Sequence, residues 1–282
     1  HRDLHSFPTR RSSDLRTGTP PLSRYDFRSP RLYVAGALDE GAEVPLDKAQ
    51  AHYLRHVLRL DTGDTVLAFN GRDGEWRAAL SGPAKHPALT AGERTREQTA
   101  PCDLHYLFAP LKHERLDYMV QKAVEMGVSR LQPVLTQHTQ VKRVNVERMR
   151  ANAIEAAEQC GVLSIPEISE PTTLARALAA RKPDRLLVFC DEDAEVKDPV
   201  RALADVRPPP AATLPLTMGA AEGPQALALL VGPEGGFSED ERAALLKLTN
   251  VVRLSLGPRI LRADTAAVAA LALVQAALGD WR

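Results

Sequence analysis

The sequence predicts an α/β protein in two parts: a small β-rich N-terminal domain, then a larger domain whose mainly parallel sheet is covered on both faces. Three observations predict it. From Leu104 onward, apolar runs of strand length alternate with segments of helical period. Between Arg31 and Thr99, short apolar runs are separated by Asn70-Gly71 and Asp73-Gly74, pairs that favour positive φ and tight hairpins. Near the C-terminus, two apolar runs each end in a Gly-Pro turn, at Gly232-Pro233 and at Gly257-Pro258.

The elements follow in chain order. Residues 1–26 have no apolar periodicity and no signal-peptide core. They read either as a non-native leader or as a basic arm that touches RNA, and on both readings disorder is expected. The β-rich domain spans 31–99. Arg31–Ala35, Thr65–Phe69 and Glu75–Leu80 are its strands, the last two forming a hairpin. One helix, Lys48–Leu60, is expected between them, with Tyr53/Leu54 and Val57/Leu58 facing in. His52, Arg55, His56 and Arg59 then fall at i, i+3, i+4 and i+7 and share a face. That face is either simply solvated or a phosphate-contacting stripe.

The polar stretch Ala91–Ala100 reads as a linker. The second domain, 101–282, opens on the strand Leu104–Ala109. A helix over Glu114–Met126 ends at Gly127. Leu131–Leu135 is a strand, and Val146–Cys160 a helix closed by Gly161. Arg185–Cys190 is a continuous apolar strand, and 207–225 a long loop of low order. Ala226–Val231 and Val251–Leu256 are strands. The helix between them is capped by Ser238, with Glu241 completing a capping box. Ala266–Leu278 is too short and too alanine-rich to span a bilayer and reads as a core helix.

Composition excludes more than it assigns. The 282 residues carry 36 basic and 36 acidic side chains, so any nucleic-acid contact must come from local patches. The three cysteines, Cys102, Cys160 and Cys190, lie far apart without histidine at metal-ligand spacing. That argues against a metal site and a disulfide framework, and fits a reducing cytoplasm.

The two Gly-Pro turns suit a ligand held by main-chain groups. Gly232–Gly236 lacks the GxxxxGK pattern of a phosphate loop and the GxGxxG fingerprint of a dinucleotide site. Proline at 233 also removes an N–H that a phosphate cradle would use. Alone, the loop reads as a structural turn. Its recurrence at Gly257-Pro258, with Arg259, Arg262 and Asp264 behind, makes it a candidate site. The arginines stay protonated, so they can hold phosphate or stabilise an anion but not accept a proton. Asp264 is either the N-cap of the last helix or a catalytic carboxylate. Glu234 is either a loop anchor or a substrate-orienting group.

Gly232-Pro-Glu-Gly-Gly236 with Leu256-Gly-Pro-Arg-Ile-Leu-Arg262 resembles the two signature loops of the SPOUT class of RNA methyltransferases. More narrowly it is similar to the RsmE family, which methylates N3 of a uridine in 16S ribosomal RNA. Gln121-Lys122 through Val128, Glu155-Ala-Ala-Glu-Gln159 and the Arg55–Leu60 segment carry the likeness along the chain from about Arg31.

The resemblance implies a PUA-like RNA-binding β-barrel at 31–99. It implies a SPOUT domain at 101–282 with a deep trefoil knot, and a homodimer formed through that knot. S-adenosylmethionine would lie against Leu230, Val231, Gly232, Pro233, Glu234, Gly235 and Gly236. Leu254, Leu256, Gly257, Ile260, Leu261 and Arg262 would complete its site. Arg262, Asp264 and Glu234 are the implied catalytic set. Arg31, His52, Arg55, His56, Arg59 and Lys142 are the implied RNA contacts, with 16S rRNA or the small subunit as partner.

Three departures stand out. Ala263-Asp264 replaces the family's Thr-Glu, which shortens the carboxylate by one methylene and removes a hydroxyl. Val162 replaces an arginine, and His138-Thr-Gln-Val-Lys142 lacks an Arg-Ser. The rival function is a catalytically weak RNA-binding assembly factor with the same fold.

Overall fold

The structure, a computed structural model, describes residues 26, 28–206 and 225–281. The expected disorder before Asp26 and the expected loop at 207–224 lie outside these residues.

Five strands form the N-terminal sheet: β1 (Arg31–Tyr33), β2 (Glu43–Pro45), β3 (Thr65–Phe69), β4 (Glu75–Ser81) and β5 (Ala88–Arg96). Their spatial order is β1-β3-β4-β5-β2. β3 and β4 form the expected hairpin, with Phe69 opposite Glu75. Leu32, Val66, Ala68, Trp76, Ala78, Leu80 and Leu89 build its core. Gly74 closes the hairpin at φ +84, and a Cβ there would lie 2.3 Å from the Arg96 carbonyl oxygen. No side chain fits that approach.

Two expectations for this part are corrected. Much of the proposed linker Ala91–Ala100 is β5, which pairs with β4 and β2. Its polarity is that of one solvated face, while Leu89 and Ala91 face the core. The helix Lys48–Leu60 is also not a single α-helix. α1 (Lys48–His52) is capped by Asp47 and Gln50 and runs into a π-turn over Tyr53–Val57. The Leu58 N–H reaches back to the Tyr53 carbonyl, and Arg59 stops the helix at φ 58. The wider turn keeps Leu54 buried but turns Tyr53 and Val57 outward, at 38% and 59% exposure.

The second sheet is parallel, in the order β12-β10-β11-β6-β7-β8, with β9 beside β7. Its strands are β6 (Leu104–Phe108), β7 (Arg130–Leu135), β8 (Glu167–Ile168), β9 (Thr172–Thr173), β10 (Leu186–Cys190), β11 (Leu227–Val231) and β12 (Val251–Leu254). The helices are α2 (His113–Glu125), α3 (Val146–Cys160), α4 (Leu174–Ala180), α5 (Pro199–Ala204), α6 (Glu239–Leu246) and α7 (Ala263–Ala277).

Both faces are covered, so the strands are apolar throughout. Leu104, Tyr106 and Phe108 of β6 pack under α2, α3 and α7, while Leu107 packs with Leu174 of α4 and Leu245 of α6. Gly161 ends α3 at φ 66, and Ser238 with Glu241 caps α6, both as the sequence predicts. Ala266, Ala267 and Ala270 bring α7 close to the sheet. Its buried Gln275 donates to the Met126 carbonyl at 2.6 Å.

The two sheets share a seam. Phe69 and Tyr33 pack into the larger core, ring edge to ring face at 5.7 Å. The Tyr33 N–H donates to the Glu158 carboxylate at 2.8 Å, and the Arg96 guanidinium donates to the Gly161 carbonyl at 2.9 Å. Burial pushes the Glu158 carboxyl above its usual range. Among the described residues, no helix is long and apolar enough to cross a membrane.

Candidate active site

All strands of the larger sheet point the same way, so the turns that follow them gather at one edge. β6 and β11 are neighbours at its centre. The chain leaves β6 through α2 on one face and leaves β11 through α6 on the other. The strand order therefore reverses between them, which is where open α/β sheets form a ligand crevice.

The loop after β11 is Gly232–Phe237. Gly232 meets the Phe237 ring, since a Cβ there would lie 2.9 Å from it. Phe237 itself lies edge-on to Phe189, with centroids 6.3 Å apart. His138, after β7, sets its Nδ1 3.1 Å and 3.2 Å from the carbonyl oxygens of Gly235 and Gly236. Arg115 of α2 forms an ion pair with Glu234. The loop is thus held from both sides.

The second loop, Ser255–Arg262, follows β12. The register places Leu230 beside Phe189 and Leu254 beside Cys190. One strand, β10, therefore separates the two loops, which are flanking rather than directly adjacent. Gly257 adopts φ +93 with open space where a side chain would sit. Ile260 is fully exposed. Among the described residues, the N–H groups of Gly235, Leu256 and Gly257 have no hydrogen-bond partner. Unpaired main-chain donors on both loops are what a ligand recognised by backbone would need.

β10 brings groups that the sequence reading missed. Buried Asp191 lies between Arg253 of β12, at 2.7 Å, and Arg242 of α6, at 3.2 Å. Its N–H donates to the Leu254 carbonyl at 3.0 Å. These bonds brace the ends of β10 and β12 and the start of α6. Their sequence signal was only an Asp after an apolar strand. Burial, with Glu192 and Asp191 adding repulsion, pushes the Cys190 thiol up to about 12, so it stays neutral and is no nucleophile.

The predicted residues fall in several places. Leu230, Val231 and Leu254 are buried in the strand ends, and Leu256 and Leu261 are half-buried. Arg262 is exposed and is itself the N-cap of α7, without a side-chain cap bond. Asp264 is consequently a first-turn residue, and the N-cap reading of it is corrected. Its carboxylate accepts the Thr265 N–H at 3.0 Å.

In the N-terminal domain, His52, His56 and Arg59 are exposed. The rings of His52 and His56 lie 4.9 Å apart. Arg55 is half-buried, with Nε and Nη2 unpartnered. The π-turn and the left-handed Arg59 alter the even helical stripe that the sequence suggests. Lys142 is exposed. Arg31 is corrected: it is buried against Glu75, Nε to Oε2 2.9 Å, and donates to the Asp26 carbonyl at 2.8 Å. A guanidinium so enclosed is not a surface contact for RNA.

Comparison with known proteins agrees with this geometry. The family described as RNA methyltransferase domain matches residues 98–275, and that described as RNA methyltransferase PUA domain matches 46–90. The chain is 29% identical over 247 residues to ribosomal RNA small subunit methyltransferase E of Rickettsia conorii, spanning 87% of this chain and 94% of that protein. The Synechocystis protein of that name is 30% identical over 251 residues, 88% of this chain and 78% of its own. The crystal structure of the Neisseria gonorrhoeae enzyme, bound to S-adenosyl methionine, aligns with TM-score 0.75 at 25% identity, covering 90% of this chain and all of that one. With its signature loops at the carboxyl edge of a parallel sheet and a PUA domain before it, this chain belongs to the ribosomal RNA small subunit methyltransferase E family.

Proposed function

We propose that this protein transfers the methyl group of S-adenosylmethionine to N3 of a specific uridine in 16S ribosomal RNA, within the small subunit or its rRNA. The observation that carries the reading is the pair of loops at the ends of β11 and β12, with unpaired N–H groups on both. Those groups fit the cofactor: its adenine and carboxylate need main-chain partners, which the backbone after Leu230 and Leu254 offers, with half-buried Leu256 as an apolar contact. Gly232, Pro233, Glu234, Gly235, Gly236, Gly257, Ile260 and Leu261 complete the site. When bound, S-adenosylmethionine supplies a methyl group on a positively charged sulfur.

The chain's own residues do the rest. Uridine N3 must give up its proton, which leaves negative charge on O2 and O4. Arg262 stabilises that charge as it develops. Its guanidinium takes no partner among the described residues and projects from the uncapped start of α7. The proton passes to water or to Asp264, two residues further on in the first turn of α7. Glu234 is engaged by Arg115, which makes it a positioning group. Holding base and methyl donor in line supplies the remaining rate enhancement.

RNA reaches the site across His52, Arg55, His56 and Arg59 of the N-terminal domain and Lys142 of the larger domain. The reading includes a deep trefoil knot, with the last helix threaded through a loop. It also includes a homodimer through that region and a cytoplasmic location.

The test uses S-adenosylmethionine labelled in its methyl group, with unmodified small subunits or free rRNA, and nucleoside mass spectrometry. Label in 3-methyluridine is expected. RNA binding without label refutes the catalytic reading in favour of an assembly factor.

A further inference from the structure

We propose that the crevice between β6 and β11 receives the backbone of the target nucleotide, with Arg115 as its phosphate clamp. This rests on the methyltransferase reading above and names the substrate subsite within it.

The crevice is a cleft of about 580 Å³, open to solvent beside the Gly232–Gly236 loop. That volume is within the roughly 300–1,000 Å³ of small-ligand sites. One wall comes from the start of α2, with Lys112, His113 and Arg115 and the single acidic Glu114 among them. The facing wall is the loop itself, with Glu234 and Gly235, and His138 closes the end. Lys142 and Arg143 are exposed and extend the basic edge beyond Val141 of the lining.

Arg115 is built to hold an anion there. Its Nη1 engages Glu234. Its Nε and Nη2 have no partner among the described residues, which leaves donors for a phosphate oxygen. Both side chains of the pair are partly exposed, at 39% and 48%. A pair this open contributes little to stability, so its value is in orientation. Glu234 lies two residues beyond Gly232 and so ties the clamp to the methyl-donor loop. A nucleotide whose phosphate met Arg115 would have its base beside that loop.

The test measures methyl transfer and RNA binding against salt for Arg115→Ala in the full-length protein. RNA KM is expected to rise about tenfold, and the salt slope of RNA binding to fall by roughly 0.7–0.9 for the lost contact. Affinity for S-adenosylmethionine should stay within about twofold, since the Glu234 pair that is also lost is open to solvent and the two His138 contacts still hold the loop. Arg115→Lys should recover part of the loss, as it restores charge without the forked geometry. Lys112→Ala provides the same readouts should Arg115→Ala fold poorly. Unchanged RNA KM and salt slope overturn the proposal. Lost affinity for S-adenosylmethionine also overturns it, because the cleft would then belong to the cofactor. Wild-type protein that binds RNA with the expected slope but transfers no methyl group refutes the methyltransferase reading and leaves the clamp tested by binding.

Discussion

Replacing Glu75 with Gln isolates what holds the N-terminal sheet to the larger domain. Glu75 is almost fully buried, and its carboxylate accepts from Arg31 Nε at 2.9 Å, Thr95 Oγ1 at 2.9 Å and Arg96 Nη1 at 3.4 Å. Arg96 continues to the Gly161 carbonyl at the end of α3. Glutamine keeps the shape and one acceptor but leaves the buried Arg31 guanidinium without a counter-charge. Removing one partner of a buried pair costs about 3–5 kcal/mol. The retained amide oxygen places Glu75→Gln at the lower end, about 3 kcal/mol. At roughly 2–4 °C per kcal/mol for a protein of this size class, Tm should fall by about 6–12 °C. Differential scanning calorimetry at neutral pH reads the shift directly. A fall below about 2 °C would mean that the network is not a structural tie. RNA binding by the folded variant should keep its salt slope, because Arg31 is inside. A reduced slope would restore Arg31 to the RNA surface.

Three further outcomes are expected. Gly232→Ala sets a methyl group 2.9 Å from the Phe237 ring, which Phe189 backs. Overpacking of about 1–3 kcal/mol should weaken S-adenosylmethionine binding about tenfold by calorimetry, and an unchanged Kd would show that the loop does not hold the cofactor. Arg262→Ala should lower kcat about a hundredfold with little change in cofactor affinity, as expected for a group that acts on developing charge, and single-turnover kinetics separates the two. His105 is held near pKa 4 from an ordinary 6.5, by burial first and by Arg185 second. Its folded pKa is lowered, so the stability it contributes is complete above pH 6.5 and is lost as pH falls toward about 4. His105→Gln should flatten the Tm profile across that window, and parallel profiles would show that His105 does not set it.

Much of the fold was legible because local rules and tertiary demands coincide. Gly161 and the Ser238–Glu241 box end and begin helices where the sequence says they should. The hairpin at Asn70–Gly74 lies where its turn residues put it. The short elements β2, β8, β9, α4 and α5 carry too few residues for a periodic signal and exist because neighbours pair or pack against them. The helix after Lys48 misled because the π-turn changes the period, and hydrophobicity alone put Tyr53 and Val57 inside. At the site, the two loops were visible as Gly-Pro turns, but β10 between them was not, because strand order is a property of the whole sheet. Asp191, Arg115 and His138 reach the site from three separate strands' turns, a convergence that spacing along the chain does not encode.

The seam between the two sheets has a consequence for how such proteins can be recombined. Phe69 belongs to one sheet by its backbone and to the other's core by its ring. A donor RNA-binding domain spliced in at the polar stretch would arrive without that aromatic plug and leave a socket lined by the methyltransferase half. It would also leave Glu158 with no Tyr33 N–H to accept. A successful graft must carry the plug, the backbone donor and the Arg96 reach to α3 together. The two halves are therefore exchangeable only as one unit, seam included.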